Sequence, residues 1–523
     1  MHRSGTDRAG FVVDLFDAFS RHGQQIALRG EVEFTFEELL ADVYRLARAL
    51  DRLGLHRGEG LFAIIGNRSE ALRVRLAAHL LGVRYAAAHP LWPAHLIETV
   101  LRDFEPAAVV SHPHHTPRPG RLPAAVGARY HLTLGPGEDT GKEVVDLLAL
   151  AATESADPPG IRARDHDIAQ ILYTSGSTGA LKGVINTFTT LAVEAAEWDR
   201  QPWPTPPDAR FLAMGSLSHA GGGVSLAMLR RGVTVEPRPG FDADRFLADC
   251  RTGRPVLTYL YPHQIVQLLD APRTAAGIPG LVCLMYGSDR LAPHAIAAAV
   301  ARFGLILRQW YALMEVAPVS RLTVDDHHAA VTGRPHLLAS VGRPVPEIEL
   351  EVRDPAGGVL PAGQTGEICV RSPLVVPGYW RLDAPIAPDE WFPTGDLGHL
   401  DDDGYLYLTG RATDRASVEC QNVYLAPIED VLSEHPHVTQ ASVVAVPGQD
   451  TGDTVHAFLV PTSGTTLGHA ELHTELAQFV HDRFGPLYVP TAFHVLAALP
   501  RNPVGKPDKP ALRRLALQGN PGP

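Results

Sequence analysis

The sequence predicts an α/β protein: a large N-terminal domain of parallel and mixed sheets with helices, followed by a small α/β C-terminal domain. Three observations carry that expectation. A chain of 523 residues is too long for one ordinary hydrophobic core and divides into domains. Short apolar runs alternate with segments of helical periodicity, separated by brief glycine turns, the pattern of β-α-β units. A boundary just after Arg411 sets off a last stretch with its own apolar strand, Ala441 to Ala445. The boundary predicted from these features gives domains 1–412 and 413–523.

The elements follow in order. Phe34, Leu39, Leu40, Val43, Leu46, Ala47 and Leu50 fall at helical spacing over 34–53, and Gly54 with the Arg57-Gly58-Glu59-Gly60 turn ends that helix. Leu61 to Ile65 reads as a buried strand. Asn67 then precedes a helix running to Leu81, and Val83 to Ala88 is a further strand. Ile168 to Tyr173, Leu281 to Tyr286 and Gly304 to Gln309 are strands by the same criterion.

Composition excludes several functions. The net charge is −12, so no nucleic-acid partner is expected, since no basic stripe is present to neutralise phosphates. No apolar run reaches membrane-spanning length, and residues 1–10 lack an apolar signal core. Cys250, Cys283, Cys369 and Cys420 are far apart, as expected of reduced thiols in the cytoplasm. The histidine runs at 111–115 and 325–328 lack ligand spacing and are expected to be solvated loops.

The chemistry centres on residues 173–184, Tyr-Thr-Ser-Gly-Ser-Thr-Gly-Ala-Leu-Lys-Gly-Val. Four hydroxyl side chains, three glycines and one lysine lie within ten residues after a buried strand. Glycines let backbone N–H groups turn inward, hydroxyls add donors and lysine adds charge, which together suit a triphosphate. The spacing is not that of the common P-loop, which requires Gly-x-x-x-x-Gly-Lys-Ser/Thr. A flexible linker is the alternative, but a strand enters and an apolar segment leaves. Lysine is scarce: of 46 basic residues only Lys142, Lys182, Lys506 and Lys509 are lysine. A lysine here therefore marks a place where a compact charge is needed.

The stretch resembles the signature loop of the adenylate-forming superfamily, which comprises acyl- and aryl-CoA synthetases, peptide-synthetase adenylation domains and luciferases. Only Leu181, in place of proline, departs from the family pattern. The resemblance implies ATP and Mg²⁺ as cofactors and assigns Thr174, Ser175, Gly176, Ser177, Thr178, Gly179 and Lys182 to the phosphates. His219, with Gly221 and Gly222, stands where the family binds the acid. The glycines there either leave space or permit close helix packing. Gly287 and Ser288 match the backbone against adenine. Tyr311 matches the stacking aromatic and Glu315 the Mg²⁺ ligand, with Met314 replacing a threonine beside the pocket. Asp396 and Arg411 match the ribose contacts, Thr413 the hinge, and Lys506, in Gly505-Lys506, the catalytic lysine of a mobile C-terminal domain.

By that resemblance the chain adenylates an oxyacid and passes it to a nucleophile: an amine, CoA or a carrier protein. The departures cluster after Arg411: Thr413, Ser417, Cys420, Leu425 and Pro427 replace family residues in the loop that shapes the second half-reaction. An amine acceptor is therefore expected, with ordinary CoA ligation as an alternative. A sharper version resembles the ATP-dependent diazotase branch, in which nitrite is activated for an aromatic amine. A nucleotide-binding pseudoenzyme is the non-catalytic alternative, against which the retained Lys506 argues.

Overall fold

The computed structural model describes residues 8–114, 127–136, 144–175, 181–271, 278–387, 389–412, 414–418, 421–447, 452–462, 468–502 and 505–518. The chain separates into two compact units. One comprises Met1–Ser288, Ala299–Val319 and Arg371–Glu390; the other comprises Asp289–Ala298, Ser320–Val370 and Trp391–Pro523. The architecture is α/β, with a large N-terminal domain and a smaller C-terminal one.

The first unit contains two doubly covered sheets. One runs in spatial order Leu307–Tyr311, Leu281–Gly287, Val256–Leu260, Arg210–Ala213, Thr234–Pro237, Ile26–Arg29 and Glu33–Thr35. Its pairings are parallel except the last. The other has seven strands: Val144–Asp146, Tyr130–Thr133, Ala108–Ser111, Gly60–Ile64, Arg84–Ala87, Ile168–Ser175 and Leu181–Thr187. It is parallel up to its final antiparallel pair. Strand Gly60–Ile64 shows how the sequence dictates this. Every residue in it is apolar or glycine and buried; Leu61 and Ala63 enter one core cluster, Phe62 and Ile64 another. A strand covered on both faces needs a continuous apolar run.

Helix Phe36–Arg52 begins where Thr35 and Glu38 form a reciprocal capping box. Phe34, counted with the helix from its spacing, lies instead in strand Glu33–Thr35, because the capping threonine halts the helix there. The predicted strand at 304–309 begins only at Leu307, since Gly304 has φ +89° and turns the chain. The two histidine runs are only partly solvated: His114, Asp325 and His328 are exposed, and His115 lies outside the described residues. Ser111 and His112 are buried at the end of strand Ala108–Ser111. His327 is fully buried on helix Val324–Thr332, which Thr323 and Asp326 cap. Their polar composition misled because capping and burial both use polar residues.

In the second unit, Glu349–Arg353, Gly366–Arg371, Phe392–Leu400 and Leu406–Arg411 form a four-stranded sheet. Arg415–Val418 and Gln421–Tyr424 form a hairpin. Val438–Pro447, Asp453–Pro461 and Ala492–Val495 form a three-stranded sheet over a core that includes Leu425, Ile428, Val443 and Leu476. Cys250, Cys283 and Cys369 are buried thiols; Cys420 lies outside the described residues. Among the described residues no helix is long and apolar enough to cross a membrane.

Asn67 ties the two sheets of the first unit together. It follows strand Gly60–Ile64, is 7 % exposed, and reaches the loop after strand Arg210–Ala213. Its Nδ2 donates to Gly215 O at 2.9 Å and Arg238 O at 3.0 Å, and its Oδ1 accepts from Leu217 N at 2.7 Å. Removing the side chain orphans one buried donor and two acceptors, each worth roughly 1–3 kcal/mol. Asn67→Ala is expected to lower unfolding free energy by about 3 kcal/mol in urea titration. A loss below about 1 kcal/mol would show that other contacts hold the loop.

Candidate functional site

The hydroxyl- and glycine-rich stretch is a β-hairpin connection. Strand Ile168–Ser175 pairs antiparallel with Leu181–Thr187, placing Thr174 opposite Lys182 and Ser175 opposite Leu181. Gly176, Ser177, Thr178 and Gly179, and the side chain of Ser175, lie outside the described residues. The register nevertheless sets Thr174 and Lys182 side by side at the mouth of the connection.

Lys182 does not stand alone. Its Nζ lies 5.3 Å from the centroid of the Tyr379 ring, a cation–π contact. The Tyr379 hydroxyl donates to Glu315 Oε1 at 2.9 Å. Backbone bonds fix this trio: Val376 N to Glu315 O at 2.9 Å, Trp380 N to Gly183 O at 2.7 Å and Ile185 N to Gly378 O at 3.1 Å. Gly183 is required there, because a Cβ would fall 2.8 Å from Ile171 and 3.1 Å from Trp380. Burial and the Glu315 carboxylate push the Tyr379 phenol up, so it remains a neutral donor. Lys182 and Glu315 thus share one ring, and Tyr379 is a site residue that sequence reasoning missed. Its signal was weak: a lone Gly-Tyr-Trp at 378–380 far from either partner in the chain.

Glu315 offers one carboxylate; among the described residues no group of three or more His, Cys, Asp or Glu side chains is placed to hold a metal ion. That suits Mg²⁺, which takes one or two carboxylates and completes its shell with waters and substrate phosphates. Tyr311, on strand Leu307–Tyr311, is buried, and Met314 is half-buried beside Glu315. Gly287 closes strand Leu281–Gly287 against Trp310, whose carbonyl would meet a Cβ at 2.4 Å. Ser288 follows in the left-handed region, φ +68°, where a non-glycine residue is uncommon. Its hydroxyl meets Tyr259 Oη at 2.6 Å.

His219 immediately precedes helix Ala220–Arg230, without a side-chain capping bond. Its Nε2 faces the Tyr173 carbonyl at 3.2 Å and must donate; Nδ1 lies 2.8 Å from Ser218 Oγ and accepts. Ser218 in turn lies 2.7 Å from Ser216 Oγ. His89 and Trp92 approach its ring edge-on at 5.1 and 6.2 Å. Burial pushes the imidazole down to about 4, so it is a neutral positioning group at ordinary pH. Gly221 and Gly222 serve close packing and do not leave space: a Cβ would fall 2.4 Å from Gly215 O or 2.2 Å from Leu217 O.

In the second unit, Asp396 and Arg411 are register partners on adjacent strands, with Arg411 Nε 2.9 Å from Asp396 Oδ1. Thr394 Oγ1 accepts from Asp396 N at 3.1 Å and donates to Ile368 O at 2.8 Å, fixing the carboxylate. Lys506 is exposed on a tight turn: Asn502 N donates to Lys506 O at 2.7 Å, and Lys506 N to Asn502 Oδ1 at 3.0 Å. Gly505, φ +84°, makes that turn possible. Thr413 lies outside the described residues, but its neighbour Asp414 is held by Lys509, whose Nζ also meets Glu429 at 3.0 Å. Burial alone would lower the Lys509 ammonium; Glu429 and Asp414 outweigh it and raise it.

Because the His219 imidazole is held near 4 when folded and titrates near 6.5 when unfolded, the stability it permits is full above pH 6.5 and is lost as pH falls towards 4. His219→Asn is expected to flatten the pH dependence of unfolding free energy by about 1.4 kcal/mol per pH unit across that window. Parallel wild-type and variant curves would mean that His219 is solvated.

A family profile described as AMP-binding enzyme matches residues 15–380, and one described as AMP-binding enzyme C-terminal domain matches 427–506. A medium/long-chain-fatty-acid–CoA ligase of Mycobacterium tuberculosis, FadD8, is 31% identical over 97% of this chain and 90% of its own. The structure of the amide bond synthetase McbA from Marinactinospora thermotolerans superposes with a TM-score of 0.84 at 32% identity, covering 97% of this chain and 99% of that one. ATP-bound MatB from Rhodopseudomonas palustris gives 0.85 at 28% identity, over 97% and 98%. Enzymes of this kind use ATP with Mg²⁺. The chain belongs to the AMP-binding enzyme family and is an ATP-dependent, adenylate-forming ligase.

Proposed function

We propose that this ligase adenylates a small or aromatic oxyacid and delivers it to an amine. The acid oxygen attacks the α-phosphate of ATP; the new P–O bond forms as the bond to pyrophosphate breaks. The amine nitrogen then attacks the activated centre, AMP leaves, and the amine gives up its proton. Lys182 and the hairpin donors Thr174 to Gly179 hold the phosphates, while Lys506 offsets charge developing at the α-phosphate. Glu315 would hold Mg²⁺, which supplies charge neutralisation on the phosphates. Tyr311 stacks on adenine against the backbone of Gly287 and Ser288. Asp396 and Arg411 hold the ribose. His219 positions the acid as a neutral group, beside Met314, and Thr413 is the hinge between a 1–412 domain and a mobile 413–523 domain.

The observation that carries the amine acceptor is the whole-length likeness to an amide bond synthetase, in a chain whose post-Arg411 segment departs from the pattern of CoA-using relatives. Within that segment the departures are unequal. Leu425 is fully buried in the C-terminal core, so packing accounts for it. Thr413, Ser417 and Cys420 carry the functional weight. The retained Lys506 and the Lys182–Tyr379–Glu315 trio support an enzyme over a nucleotide sensor.

Lys506→Ala is expected to slow acid-dependent pyrophosphate exchange into ATP by about 10²–10³-fold, the usual loss for one transition-state donor. Glu315→Gln is expected to raise the Mg²⁺ requirement, since an amide binds a hard cation more weakly than a carboxylate. Wild-type exchange in Lys506→Ala would remove the catalytic assignment.

The acceptor is tested by AMP release with a panel of aromatic acids, with amines or CoA, and with nitrite plus aminocinnamate- or aminobenzoate-type amines. Amide formation without thioester is expected. AMP release that needs nitrite and arylamine together would select the diazotase version. Efficient thioester formation, as the name of the fatty-acid–CoA ligase relative suggests for that protein, would sink the amine reading.

A further inference from the structure

Ser288 follows strand Leu281–Gly287 with φ +68°. It is one of four non-glycine residues with positive φ among the described residues. A Cβ crowds the following carbonyl in that region, and such backbone persists only where its surroundings hold it. Glycine adopts the same φ freely. Gly287, the residue before, is pinned: it pairs with Trp310 in the sheet register, and its Cα packs so closely that a Cβ would fall 2.4 Å from the Trp310 carbonyl oxygen. Residue 288 is therefore the first place where the loop leaving the strand can relax.

A phenol from the neighbouring strand holds it. Tyr259 lies on Val256–Leu260, which pairs parallel with Leu281–Gly287 and sets Tyr259 opposite Met285. Its hydroxyl reaches beyond that register partner to Ser288 Oγ at 2.6 Å, and stands 3.4 Å from where a Cβ on Gly287 would lie. The ring is fixed on its other sides. Tyr259 is 5 % exposed, Tyr261 meets it edge-on at 5.7 Å, and a Cβ on Gly215 would fall 3.4 Å from its Cδ1. Ser288, by contrast, is exposed. A buried, immobile hydroxyl thus grips the side chain of an exposed residue whose backbone is strained.

We propose that Tyr259 is a positioning residue for the nucleotide: its hydroxyl, acting through Ser288 Oγ, keeps the 287–288 backbone in the conformation that meets adenine. This rests on the reading above that Gly287 and Ser288 lie against adenine. Without the grip the strained conformation is only fractionally populated, and the apparent affinity for ATP falls by that fraction. The Ser288 hydroxyl is then a handle. A methyl side chain at 288 removes the handle and keeps the strain, whereas glycine removes both.

The test is equilibrium titration of the full chain with MgATP, and with inorganic tripolyphosphate as a probe that lacks adenine; no acid substrate is needed. Ser288→Ala and Tyr259→Phe are each expected to weaken ATP by about 3–10-fold, the worth of one neutral hydrogen bond, and to leave tripolyphosphate within about twofold. Ser288→Gly loses the same hydroxyl and is expected to bind ATP within about twofold of wild type. Adding Tyr259→Phe to Ser288→Gly is expected to change nothing further, because the two act through one contact. Wild-type ATP affinity in Ser288→Ala or in Tyr259→Phe overturns the proposal. If Tyr259→Phe does not fold, the Ala and Gly variants at the exposed position 288 decide. An ATP-selective loss that is the same in Ser288→Ala and Ser288→Gly overturns the proposal and leaves the adenine reading standing, since the hydroxyl then acts directly and not through the backbone. Equal weakening of ATP and tripolyphosphate in Ser288→Ala removes the adenine reading, and the proposal with it, as does a wild type that binds no ATP.

Discussion

The surroundings of His219 depend on where one asparagine places one loop. Asn67 leaves the end of strand Gly60–Ile64 and satisfies Gly215, Leu217 and Arg238 in the neighbouring sheet. A backbone loop buried between two sheets cannot leave its polar groups bare, and apolar packing has no direction with which to fix them. The amide, with two donors and an acceptor that takes more than one bond, does both. Once Gly215 O and Leu217 O are fixed, they form the wall against which Gly221 and Gly222 pack. That wall sets the start of helix Ala220–Arg230 and the direction of His219.

The surroundings of Lys182 are organised by a different device. Residues 376–380 are stitched by backbone bonds to the lysine-bearing strand and to Glu315. Tyr379 therefore sits between a cation and a carboxylate that are 133 positions apart in sequence. Its ring takes the ammonium and its hydroxyl takes the carboxylate, two contacts that one aromatic alcohol can make and no aliphatic residue can. The opposite charges are each held on Tyr379 and not in a direct ion pair.

The scarcity of lysine reads differently once side chains are placed. Lys182 lies on a strand of an antiparallel pair and Lys506 on an exposed turn. Lys509 has a structural task instead, joining Asp414 to Glu429. Rarity by itself therefore did not distinguish a lysine that bridges two carboxylates from one that is exposed.

By itself the sequence determined what is local or covalently contiguous: the α/β alternation, most strands to within a residue or two, and the family. Those signals survive in one dimension because hydrophobic period, turn residues and a short motif all act between near neighbours. It could not determine which distant residues share a site, because hydrogen bonds and ion pairs carry no sequence mark until the sheets form. Tertiary structure alone decided that Tyr379 joins Lys182 to Glu315, and that His327 is a buried helical residue. It also decided that the glycines after His219 are tight packing and not open space. Arg75 is a further case: in the sequence it is one arginine among many, and only the fold buries it, 4 % exposed with its Nε enclosed.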